Sequence, residues 1–279
     1  MSDPIAALRS LAAHERISSA TQAAREACTT VRWHQALRRR IPEAAAESRI
    51  RGAWASAELD GARSTVEIVR DVMRGARGWP GEPDPGEQVL WGAVAATAAT
   101  EQYAARTPLV ARQTLAGLHL AAGARLLAAD DLGRPRRGDS PEFALLGPAP
   151  EPVAAGVRLA ALDRIVAADD LPAILVMAIV HAELAHARPF ARGNGLVARA
   201  MDRVLLRTTG LDPTGVVVIE AGHGAAGLTA YHGALQAYGL GTLEGLLVWV
   251  DHCATAVTAG AAEAHAICDA ILAGRLDRR

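Results

Sequence analysis

The chain of 279 residues is poor in aromatics, which make up 4% of it and include only two phenylalanines. A core without large rings must close by other means. The abundant alanine, the strongest helix former, points to thin, close-packed helix contacts. An excess of charge is missing too: the formal net charge is −1, so no global field draws the protein to nucleic acid or to a membrane. Cysteine is scarce, and Cys28, Cys253 and Cys268 are isolated, odd in number and without metal-ligand spacing. They read as reduced thiols of a cytoplasmic protein. The opening "MSDPIAALRSLAAHERISS" has no basic head followed by an apolar run, so no signal peptide is expected. The apolar run "LPAILVMAIV" is about half the length of a bilayer span and reads as a buried helix. A Walker loop, a dinucleotide-binding glycine fingerprint and a Ser-His-Asp arrangement are all absent. So is βαβ alternation, which leaves an all-α class.

Helical patterning fills most of the chain, punctuated by Gly and Pro. Residues 4–28 read as one or two amphipathic helices. Pro42 stands early in the next helix, a tolerated place, which runs to a break at Asp60-Gly61. Residues 75–88 form the first clear loop. Helices follow at 88–105 and 107–127, the second with Pro108 in its first turn and Leu109, Leu115, Leu118 and Ala122 on one stripe. Residues 130–152 are the longest non-helical stretch, of a length that suggests a functional loop or a short hairpin. Further helices are expected at about 153–168, 171–187, 195–209, 224–238 and 242–273. Residues 210–222 read as a loop with an extended piece, and the tail "RLDRR" should fray. The division expected is an N-terminal helical region, 1–75, and a helical domain, 76–279, with its core at about 100–255, packed as one unit.

The stretch "HARPFARGNGLVAR", His186 to Arg199, carries the chemistry. Pro189 disfavours helical geometry at Arg188, so a helix should end there. Gly193 and Gly195 permit backbone conformations closed to other residues, and Asn194 tolerates the left-handed region. Together they can turn several N–H groups toward one point where the next helix starts, which favours phosphate or carboxylate. Arg192 and Arg199 add charge suited to phosphate. The plain alternative is a tight helix–loop–helix connection with arginines on a solvated face.

This stretch resembles the signature of the Fic/Doc (Fido) family, His-Pro-Phe-x-Asp/Glu-Gly-Asn-Gly-Arg/Lys-x-x-Arg. Pro189, Phe190, Gly193, Asn194, Gly195 and Arg199 match it. The preceding "AIVHAELAHA", including His181, resembles the helix that leads into the motif. Residues 114–136 resemble the family's Leu-His helix and following loop, and 145–166 the segment after its flap. Upstream, Ser56, Asp60 and Gly61 resemble the end of an inhibitory helix, Ser/Thr-x-x-x-Glu-Gly/Asn. Tyr231 lies near a Tyr that commonly borders the nucleotide base. The resemblance runs from about 40 to 255 and implies an all-α Fido fold with a flap hairpin or loop.

It also implies AMP transfer from ATP to a protein hydroxyl, and this chain departs from what that needs. Arg188 holds the position of the general base, and a guanidinium stays protonated. His186 is about 200° away on the helix and should point elsewhere. Arg192 replaces the Mg²⁺ ligand, so a metal would come only with the nucleotide. Leu196 replaces a phosphate contact. Arg199 remains, implied to meet the γ-phosphate or the inhibitory acid. Asp60 is one methylene short of glutamate, which leaves its reach to Arg199 open; an ordinary helix end is the alternative.

No metal site is expected: His181 and His186 are misaligned, and His119, His223, His232, His252 and His265 read as surface or hydrogen-bonded. The basic clusters 38–40 and 134–137 read as solvated, or as contacts for an acidic partner. Three functions stay open. The chain binds a nucleotide or another phosphate-bearing anion at Arg192, Gly193, Asn194, Gly195, Arg199 and Tyr231; or it transfers such a group to a target protein by altered chemistry; or it is an interaction scaffold. The resemblance adds a homodimer.

Overall fold

The computed structural model describes residues 4–79, 81–104 and 108–276. Among the described residues there are twelve α-helices and no strand. The first two are α1 (Pro4–Ala12) and α2 (Glu15–Arg32). Next comes α3 (Ile41–Leu59), with Pro42 in its first turn. It ends as the Gly61 N–H reaches back to the Glu58 carbonyl and the Ala62 N–H to Ala57, with Gly61 left-handed at φ 87°. This double bond pattern needs a residue free of Cβ strain at Gly61. Then follow α4 (Val66–Met73) and α5 (Pro85–Ala99). The expected loop to residue 88 is cut short because Asp84 and Glu87 form a reciprocal capping box that starts α5 early.

The helix expected from 107 opens later, as α6 (Ala111–Gly123), and Pro108 precedes it: Val110 is extended and serves as its N-cap. Thr107 lies outside the described residues, as do the last three of the tail. The stripe of Leu109, Leu115, Leu118 and Ala122 is buried. Residues 124–151 form a long flap with two single 3-10 turns, Ala129–Asp131 and Ala144–Leu146, and no hairpin. The remaining helices are α7 (Pro152–Val166), α8 (Ala173–Ala187), α9 (Asn194–Thr208), α10 (Ile219–Gly224), α11 (Leu228–Gly239) and α12 (Leu243–Leu272). The expected extended piece at 210–222 becomes helical at Ile219. Val216, Val217 and Val218 are buried without a partner strand: the Val217 N–H goes to Asp212 and the Val218 N–H to the Gly260 carbonyl of α12.

α8 is buried on almost every side, as its apolar sequence requires. α9 packs along it, and α12 lies across α2, α10 and α11. The buried Trp249 of α12 donates its indole N–H to the Ala178 carbonyl of α8 at 2.7 Å. By length and composition α12 could also cross a membrane. The three cysteines are free and buried.

Candidate functional site

α8 stops at Arg188, which is left-handed at φ 42° and ψ 62°, just before Pro189. Phe190 is buried and stacks flat on His119 of α6, with ring centroids 3.8 Å apart. His119 ties two loops: its Nδ1 accepts from the Gly133 N–H at 2.9 Å and its Nε2 donates to the Arg192 carbonyl at 3.0 Å. Gly193, at φ 84°, then caps α9. Asn194 braces the turn, accepting from the Phe190 N–H through Oδ1 and donating to the Phe190 carbonyl through Nδ2.

The turn faces a carboxylate that the sequence reading did not single out. Glu142, partly buried in the flap, accepts from the Gly193 N–H at 2.5 Å, the Asn194 N–H at 2.7 Å and Asn194 Nδ2 at 2.8 Å. Burial and the nearby charge of Asp60 raise its pKa above the usual carboxylate range, against the pull of those donors. Arg188 is buried and donates through Nη1 to the Glu142 carbonyl at 3.1 Å, while its Nε has no partner. The expectation that residues 134–137 are solvated fails at Arg136. It is buried and donates to the carbonyls of Arg188, Gly138 and Pro150, because the end of α8 and the irregular flap leave those oxygens without helical partners.

Arg199 is fully buried. Its Nη2 meets Asp60 Oδ1 at 2.7 Å and the Ser56 carbonyl at 3.0 Å, and its Nε donates to Ser56 Oγ at 2.8 Å. The shorter acid reaches because α9 comes close at Gly195, where a Cβ would lie 2.7 Å from Asp60 Oδ1. Gly195 therefore provides room, and Gly193 the unusual backbone angle. A cavity of about 440 Å³ opens onto Asp60, Gly61, Glu142, Arg192, Gly193 and His232. His186 turns away to the Leu235 carbonyl of α11.

Tyr231 is fully buried and presents no open face to a ligand. Its hydroxyl donates to His181 Nε2 at 2.7 Å. His181 Nδ1 and His223 Nε2 both meet Asp202 Oδ2, at 2.6 and 2.9 Å, and His252 Nε2 meets His223 Nδ1 at 3.2 Å. By residue type His181, Asp202 and His223 are a metal set. The separations are hydrogen-bond lengths, and one proton on each bond satisfies both ring nitrogens of His181 and of His223, while Asp202 Oδ1 is buried without a partner. Burial pushes His181 and His223 down to about 3 and Asp202 up to about 6.

No protein-family model matches the chain, and no curated protein does. Solved structures do match. A Fic family protein from Desulfovibrio desulfuricans G20 is 20% identical, with a TM-score of 0.72 over 91% of this chain and 75% of that one. Fic-1 from C. elegans, residues 134–508, is 16% identical, with a TM-score of 0.66 over 92% and 73%. A Fic domain containing signaling protein from Bacteroides thetaiotaomicron VPI-5482 is 15% identical, with a TM-score of 0.61 over 90% and 98%.

Proposed function

We propose that this chain, which has the all-α fold of Fic proteins, binds a phosphate-bearing anion, foremost a nucleotide, at the Gly193–Asn194–Gly195 turn. Ordinary AMP transfer is impaired. The observation that carries this reading is the convergence of the Gly193 and Asn194 N–H groups on one pair of carboxylate oxygens. A turn that seats a carboxylate this way at the start of a helix suits a phosphate oxygen equally. Arg192 at the cavity supplies positive charge, and Arg199 behind it is paired with Asp60.

The chemistry of transfer is weaker here. Arg188 stands where the resemblance calls for a base, and its guanidinium is spent on a flap carbonyl. The residues do not fit a resident Mg²⁺, which wants oxygen ligands. Arg192 lines the cavity in place of an acid, Glu142 is engaged by the turn, and Asp60 by Arg199.

Thermal unfolding with ATP, ADP, AMP and inorganic phosphate tests the binding. A saturating ligand at a hundred times its Kd should stabilise by about 2.7 kcal/mol. No shift with any of them would leave the interaction scaffold. Labelled ATP with Mg²⁺ should leave no label on the protein or on lysate proteins. Label transferred by the native chain would establish a transferase whose chemistry needs no base at 188.

A further inference from the structure

The Gly193–Asn194 turn is not an open receptor. Three donors point into it, and all three end on Glu142. The flap that carries this carboxylate is stitched down on both sides of it. Arg188 holds the Glu142 carbonyl, Arg136 holds the Arg188 and Pro150 carbonyls, and Ser140 Oγ donates to the Ala191 carbonyl at 3.3 Å. Phe143, the next residue, is left-handed at φ 52°, a costly conformation for a side chain of its size. Two carboxylates, Glu142 and Asp60, line one cavity. Below them the buried Arg199 is held by Asp60, by Ser56 and by the Tyr231 hydroxyl. The turn that would receive an anion is thus already filled by the protein's own acid.

We infer that Glu142 is a built-in substitute ligand of the turn, clamped by Arg188, so that flap closure and binding of a phosphoryl dianion exclude one another. This rests on the anion-binding reading above and adds its regulation. The closed state is a carboxylate on the turn; the open state frees three N–H donors. A phosphoryl group carries more charge and more acceptor oxygens than a carboxylate, and it is the class of ligand able to displace one. Arg188 is a positioning residue in this scheme: it acts on the flap, not on the ligand.

The test is calorimetric titration of the full chain with inorganic phosphate and with AMP. Glu142→Ala should tighten both at least about tenfold, the factor released by a flap nine-tenths closed. Glu142→Gln keeps the shape and removes the charge, and should tighten binding by a smaller factor; it carries the test should the alanine variant fold poorly. Acetate should compete with phosphate in Glu142→Ala and not in the native chain. Amide exchange at Gly193 and Asn194 should quicken in Glu142→Ala. Equal affinities in all three proteins would overturn the substitute-ligand inference and leave the binding reading standing. Binding in none of them would overturn both.

Discussion

At position 188 an arginine does something a histidine cannot. Its long, always-charged side chain reaches past the turn and takes a carbonyl from the flap. Arg188 and Arg192 stood out in the sequence only against the pattern that the stretch resembles. Glu142 was not legible. Its partners lie 51 and 52 residues away, and the flap offers no periodicity to mark one acid among several. The Asp60–Arg199 pair was readable as a pairing of types, but its reach depended on the space left at Gly195. That pair makes a residue-scale prediction. Asp60→Ala leaves a fully buried guanidinium without its counter-charge and should cost about 3–5 kcal/mol of stability. Urea unfolding of the variant reads this, and a loss under 1 kcal/mol would mean that Ser56 and Tyr231 satisfy Arg199 without the acid.

At the scale of elements, helix type and order were legible from apolar spacing and from Gly and Pro. Boundaries moved where local chemistry intervened: the Asp84–Glu87 box advanced α5, and the extended Val110 delayed α6. α10 was hidden because the three valines before it look like a strand, and its packing against α12 is a contact distant in sequence. The contact between these two helices is unusually close. A Cβ on Gly222 would fall 1.9 Å from the Ala256 carbonyl oxygen, which is backbone and cannot swing aside. Gly222→Ala should therefore push α10 off α12 and destabilise by about 3 kcal/mol or more. The same shift disturbs the buried Glu220–Arg203 pair and Ser48 beside it. A variant melting within a degree of the native protein would show that the two helices part at no cost.

At the scale of the whole molecule, the histidines set an acid limit. Burial holds His119 and His252 at about 4 and His181 and His223 at about 3. The unfolded chain takes a proton on each as pH falls through about 6.5. A depressed histidine therefore lends its stability above that value and loses it on the way down to its folded value, about 4 or about 3. Asp202 acts in the opposite sense: raised to about 6, it takes its proton in the folded protein first and recovers one proton's worth. The unfolded chain then holds about three more protons near pH 5, a slope of roughly 4 kcal/mol per pH unit at most. Urea unfolding at pH 7, 6 and 5 should show a steep fall below 6. A flat profile to pH 5 would mean that the chain from Tyr231 to His252 is open to water. None of this was legible in the sequence, where the same histidines lie scattered over more than a hundred residues.

The carboxylate on Gly193 and Asn194 also bears on time. A site that must first be vacated by its own flap cannot fill faster than the flap departs. If a ligand enters only after the flap has left, as the proposal above implies, the rate of filling at high ligand concentration reaches a ceiling set by the protein. The flap's clock, and not diffusion, then sets how quickly this molecule can respond.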